Sequence, residues 1–237
     1  MNETELVRRR LLSDSLVVGA PYPLALTGDY AVEAHGLVEV AEAAEGRDRR
    51  PARVLEVATE SPEPMERIVA AVRVALEERG WRVRPVETDP LSARLLVTDP
   101  GTDERNTLDV LKETLWRPPV ETSLGLALSL EDAIGTKVRA LAGRGLARDL
   151  VAVHAAADHW SFPELEELGR RHAPDAFDLT DLQSRLEGTE WVADREFTGY
   201  GLDEQAIMAL RQWAQSWADD IAERLLEEEA LEPPPDE

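Results

Sequence analysis

The hydrophobic period of the chain changes once, at Ser129, and that change limits the fold more than any other feature. Before it, short apolar or alternating runs bounded by turn residues read as strands with a few helices between them. After it, apolar residues recur at steps of three and four. The pattern therefore predicts an α/β (α+β) core over residues 1–128, a helical region over 129–227 and a disordered acidic tail over 228–237.

Within the first part, Glu5 to Leu12 reads as a short helix and Ser15 to Pro23 as a turn-rich approach. Thr27-Gly28-Asp29 is a glycine-containing turn that opens a helix over Tyr30 to Val40, and Ala41 to Arg50 reads as a solvated loop. Arg53 to Thr59 has the character of a buried strand. A helix follows, with Ser61 as cap, Pro62 at its first position and Met65, Ile68, Val69, Val72 and Leu76 on one face, ending at Gly80. Trp81 to Val86 alternates apolar and basic residues, as a strand exposed on one side does. Ala93–Thr98 and Thr107–Leu111 form a predicted hairpin across Pro100-Gly101. In the second part, Ser129 and Asp132 begin a helix that Gly143 and Gly145 interrupt. Further helices are expected over 147–157, 163–171, 179–186 and 203–226.

Charge excludes some partners. Asp and Glu number 48 against 26 Lys and Arg, a formal net charge of −22, which opposes long-range attraction to phosphate backbones or anionic membranes. No apolar run reaches the roughly 18 residues of a membrane span, so a cytoplasmic chain with no membrane partner is expected. Without cysteine, disulfides and thiolate chemistry are excluded. The four histidines are too scattered for a zinc site, and no phosphate-loop lysine motif or nucleophile elbow is present.

Two constellations carry the chemistry that remains. Glu56 stands between Leu55 and Val57, and Asp109 between Leu108 and Val110, each a carboxylate inside an apolar strand. A carboxylate so placed is costly unless paired or bound. If the two strands are neighbours, the carboxylates converge and are suited to one Mg²⁺, a hard ion that takes oxygen ligands; otherwise each merely sits on a solvated strand face. The second constellation is Lys137, Arg144 and Arg148, with Asp149, on the helical segment. Lys137 is one of only two lysines, the other being Lys112. These cations suit a phosphate, or their stems cover apolar Ile134 and Leu141.

Taken together, four segments resemble the nucleotidyltransferases of the AbiEii/AbiGii abortive-infection toxin family. They are Leu24-Ala-Leu-Thr-Gly-Asp-Tyr-Ala-Val-Glu-Ala-His-Gly-Leu37, Leu55-Glu-Val-Ala-Thr-Glu60, Leu108-Asp-Val-Leu-Lys112 and Leu130 through Leu150, which contains Lys137-x-x-Ala-Leu-x-x-Arg144-x-x-x-Arg148-Asp149. Their order matches the family's, from about Leu24 through Val153. The resemblance implies a nucleotidyltransferase-type mixed sheet followed by helices, and Mg²⁺-dependent transfer of a nucleotide from a nucleoside triphosphate onto an acceptor, of which tRNA is one class; on charge grounds a small molecule or a protein is no worse an acceptor. It also implies a cognate antitoxin as a partner. By the same resemblance Glu56 and Asp109 are the metal ligands and, with Lys137, the catalytic residues, while Thr27, Gly28, Arg144, Arg148 and Asp149 hold the nucleotide.

The chain departs from the family's pattern at the positions that do this chemistry. Gly28 is followed by Asp29 where the family has glycine or serine, placing an anion where phosphate approaches. The family's Asp-x-Asp reads Val54-Leu-Glu56, so one carboxylate is lost and the other lengthened. Ala41 to Arg50 is an added run, and Ala152 stands where a second aspartate is common. Two functions follow as alternatives: a divergent transferase, or an inactive nucleotidyltransferase fold kept as a binding or regulatory module. An unrelated α/β protein with chance matches is the third. A polynucleotide acceptor requires a local positive face, for which Arg8-Arg9-Arg10, or Arg82 and Arg84 with Arg94, are the candidates.

Overall fold

A computed structural model of the protein describes residues 3–37, 54–173 and 175–231. The expected loop over 41–50 and the end of the tail lie outside them. The chain divides into two compact units, one of residues 1–37 and 50–133, the other of 38–49 and 134–237.

In the first unit, the described strands form a seven-stranded sheet. In chain order these are β1 (Ala25–Leu26), β2 (Leu55–Thr59), β3 (Arg82–Thr88), β4 (Ser92–Thr98), β5 (Arg105–Lys112), β6 (Val120–Thr122) and β7 (Gly125–Ala127). Their spatial order is β3-β4-β5-β2-β1-β7-β6, mixed because β2 runs parallel to β5 and β1 parallel to β7. Helices α1 (Glu3–Gly19), α2 (Gly28–Ala34) and α3 (Met65–Glu78) complete the unit with the start of α4 (Leu130–Arg144).

Strand alternation sorts the side chains by face. Leu55, Val57, Leu95, Val97, Leu108 and Val110 point to one side, where they pack with Leu11 of α1 and Met65, Ile68, Val72 and Leu76 of α3 in the main core. Among the described residues of this unit, the opposite face packs around β1 and the end of β2, where Ala25 and Ala58 meet Ala31 of α2, Leu128 and Ala133. Towards β3 and β4 that face carries Arg82, Arg84 and Arg94, all exposed.

Several boundaries differ from expectation. Helix α1 continues through Ser15 and Leu16 to Gly19, because Leu11, Leu12 and Ser15 prolong its buried side. Helix α3 starts at Met65 behind Pro64, not at Ser61-Pro62. The Lys112 ammonium donates to the Ser61 carbonyl at 2.6 Å, which holds this segment out of the helix and ties it to the end of β5. Helix α2 stops at Ala34, short of Val40, with Gly36 at φ 73°.

The second unit is helical among its described residues. After α4 come α5 (Ala147–His154), α6 (Phe162–Arg171), α7 (Leu179–Glu187), a 3-10 turn (Gly188–Trp191), α8 (Asp194–Thr198) and α9 (Glu204–Leu231). Helix α9 presents Ile207, Leu210, Ala214, Trp217 and Ile221 to the interior. It runs on through Leu231, so residues 228–231 are helix rather than tail. Phe162 stacks on Trp217 at 5.4 Å between centroids. The buried Glu166 carboxylate accepts from Trp217 Nε1 at 2.9 Å and Arg224 Nη1 at 3.0 Å, so its charge is paired inside the core. Among the described residues, no helix is long and apolar enough to cross a membrane.

Candidate functional site

The two strand carboxylates meet. Parallel pairing of β2 with β5 sets Glu56 directly opposite Asp109. Paired residues on adjacent strands point to the same side, here the face opposite the main core. The sheet achieves this although 53 positions separate the residues (109 − 56), because α3, β3 and β4 form an excursion that returns β5 beside β2.

The turn expected at the phosphate meets them too. The Thr27 amide donates to the Glu56 carbonyl at 3.0 Å, extending β1 by one rung. Gly28 follows at φ 60°, a left-handed conformation costly for any residue with a Cβ. A Cβ on Gly28 would lie 1.9 Å from Glu56 Oε2. The space over this glycine is filled by the carboxylate of Glu56. The extra methylene of Glu relative to Asp supplies the reach.

Asp109 has a resident cation. Arg94 on β4 is its cross-strand partner, and donates from Nε to Oδ1 at 2.8 Å and from Nη2 to Oδ2 at 2.7 Å. Both carboxylate oxygens are engaged in the parallel fork geometry that guanidinium favours. The hydrogen bond and charge of Asp109 push the Arg94 guanidinium above its ordinary pKa, with Glu87 and Glu56 adding smaller attraction. Asp109 is 7% exposed, so water does little to compete for it.

This donor set does not fit a divalent ion. A metal on Glu56 and Asp109 needs free carboxylate lone pairs directed at one point. Asp109 gives its two oxygens to Arg94, Glu56 turns one onto Gly28, and Val54 supplies none. A guanidinium beside Asp109 also repels a dication.

The basic face expected at Arg82, Arg84 and Arg94 does not include this pairing of Arg94 with Asp109. Hairpin arithmetic reveals it: a turn centred near Pro100-Gly101 that pairs Thr98 with Arg105 also pairs Arg94 with Asp109.

The remaining expected site residues belong to the second unit. Lys137, Arg144 and Arg148 do not share one helix face, because α4 ends at Arg144 and Arg148 lies on α5. They gather instead around Asp149, which is fully buried. Lys137 Nζ donates to it at 3.2 Å, Arg144 Nε and Nη2 at 2.8 and 3.1 Å, and Arg148 Nε lies at 3.9 Å. Lys137 itself is only 3% exposed. The cluster braces the α4–α5 corner, where Gly145 at φ 61° makes the turn.

No protein-family model matches the sequence, and no curated protein matches it. Solved structures do. JHP933 from Helicobacter pylori is 19% identical with a TM-score of 0.53, the alignment covering 98% of this chain and 99% of that one. An H. pylori protein assigned by inference as a nucleotidyltransferase is 16% identical, TM-score 0.53, covering 98% and 100%. MenT4, a nucleotidyltransferase toxin from Mycobacterium tuberculosis, is 14% identical, TM-score 0.53, covering 90% and 84%. At these identities the likeness establishes a nucleotidyltransferase-like fold.

Proposed function

We propose that this chain is a nucleotidyltransferase-fold protein whose inherited reaction centre is filled by its own side chains, and that it acts as a binding or regulatory module. The observation that carries the proposal is the two-pronged Arg94–Asp109 pair at 2.8 and 2.7 Å. Phosphoryl transfer in a metal-dependent enzyme is mostly positioning and charge neutralisation by the ion. Here an arginine neutralises the carboxylate that would hold the ion, and Glu56 occupies the phosphate's approach to Gly28. Loss of metal ligands costs several orders of magnitude in rate.

A second reading is favoured by one observation, the register of Glu56 with Asp109. In it the chain retains Mg²⁺-dependent transfer from a nucleoside triphosphate to tRNA or a protein, with both carboxylates as ligands. That reading requires Arg94 to release Asp109.

Pyrophosphate release from each of the four ribonucleoside triphosphates, with Mg²⁺ and total tRNA, separates the two. The expected result is no release above that of an Asp109→Asn variant. Release that disappears in both Asp109→Asn and Glu56→Gln establishes the transferase instead.

A further inference from the structure

The sheet face that carries Glu56 and Asp109 continues across β4 to β3 into a groove lined by arginines. We propose that this groove, on β3, β4 and β5, binds the phosphate group of a small organic phosphate, of nucleotide size, without a metal ion. The inference rests on the reading of the chain as a binding module and gives that module a ligand class.

Register assembles the groove. Arg82 pairs with Thr98, and Thr98 pairs with Arg105, so two arginines flank one hydroxyl along a row. Their Cα atoms stand two strand spacings apart, about 10 Å, within reach of one phosphate for side chains of this length. Arg84 pairs with Leu96 in the next row on the same face. Together with Asp103 these residues line a cavity of about 340 Å³, at the small end of ligand pockets. Leu96 gives the floor an apolar surface for the organic part of a ligand.

The positive charge here is available, unlike that of Arg94. Among the described residues, the side chains of Arg84 and Arg105 have no ion-pair or hydrogen-bond partner. The Arg82 side chain pairs with Asp103 at 2.7 Å, its one side-chain partner among the described residues, and both side chains are more than 60% exposed. An ion pair so exposed is worth little and is displaced at small cost. Two free guanidinium forks and a third weakly held one face one hydroxyl donor, in a protein whose formal net charge is −22. Guanidinium forks match phosphate oxygens two at a time. Two features favour a small phosphate over a polynucleotide. The long-range field of the chain repels a polyanion, and among the described residues no aromatic ring lines the groove for base stacking.

Asp103 tunes the groove. It holds φ 61°, a strained conformation that aspartate and asparagine tolerate better than most, and it places a competing carboxylate on Arg82. Asp103→Asn keeps the turn and removes that competitor.

Calorimetric titration of the full chain with inorganic pyrophosphate and with adenosine monophosphate, in EDTA, tests the proposal. Saturable binding is expected, weakened about tenfold by Arg84→Ala or Arg105→Ala alone, and more by both. Arg84→Lys is expected to fall between Ala and Arg, because charge remains but the fork is lost. Asp103→Asn is expected to bind about two- to fivefold tighter. Circular dichroism confirms that each variant is folded. Absence of binding to the wild-type chain overturns the inference alone. So does binding unaffected by the double alanine variant, or binding of a 12-nucleotide RNA but of neither small probe. Binding seen only with Mg²⁺, and abolished by Asp109→Asn, overturns the inference and the module reading together.

Discussion

Asp149→Ala is expected to destabilise the protein by about 3–5 kcal/mol, because it strands a buried ammonium without its carboxylate. Asp149 has no exposed surface, and Lys137 is 3% exposed with its Nζ 3.2 Å from Oδ1. Arg144 and Arg148 add two further cations around the same carboxylate, so removing it leaves like charges crowded at the α4–α5 corner. Urea unfolding reads the loss as a lower midpoint. A double variant, Lys137→Met with Asp149→Leu, is expected to recover much of it, since replacing both members of a buried pair with apolar groups is often close to neutral. A loss below about 1 kcal/mol in Asp149→Ala contradicts a bracing role and returns these residues to the candidates for ligand binding.

Gly28→Ala is expected to cost about 2–4 kcal/mol, from two separable sources. The left-handed backbone at φ 60° accounts for about 1–2 kcal/mol in any residue with a Cβ. The rest is steric, because the new methyl would stand 1.9 Å from Glu56 Oε2 and drive that carboxylate off the turn. Adding Glu56→Asp shortens the side chain and is expected to restore the steric part while leaving the backbone part. If Gly28→Ala and Gly28→Ala/Glu56→Asp are equally unstable, Glu56 does not fill the turn.

The elements that could be read in the sequence were those with enough residues to show a period. The apolar faces of β2 and β5 and the α3 stripe of Met65, Ile68, Val72 and Leu76 are examples, and the switch to helix at Ser129 is another. Strand β1 has two residues, and β6 and β7 three each, too few for alternation to register. They exist because β2 and its neighbours offer hydrogen-bonding edges, a tertiary cause. Pro21 and Pro23 place the expected turn too early in the chain, whereas α1 continues to Gly19.

The site was legible by half. Glu56, Asp109, Thr27 and Gly28 were singled out by residue type and neighbours, and the sheet brings the four together. What they contact depends on register, which composition does not reveal. Arg94 looked like one more exposed arginine until its pairing with Asp109 was fixed by the length of the β4–β5 turn. Arg105, not Arg94, joins Arg82 and Arg84 in the open basic groove. The Lys137 group was correctly read as a concentration of positive charge, but its geometry turns inward onto Asp149 because α4 ends one residue before Gly145.

The most direct test of a self-filled centre is titration of the protein with Mn²⁺ in the presence of ATP, following metal binding by electron paramagnetic resonance. The wild-type chain is predicted to bind no Mn²⁺ that depends on Asp109, and the triple variant Asp29→Gly, Val54→Asp, Arg94→Ala is predicted to gain such a site. Wild-type Mn²⁺ binding that requires ATP and is lost in Asp109→Asn contradicts the account.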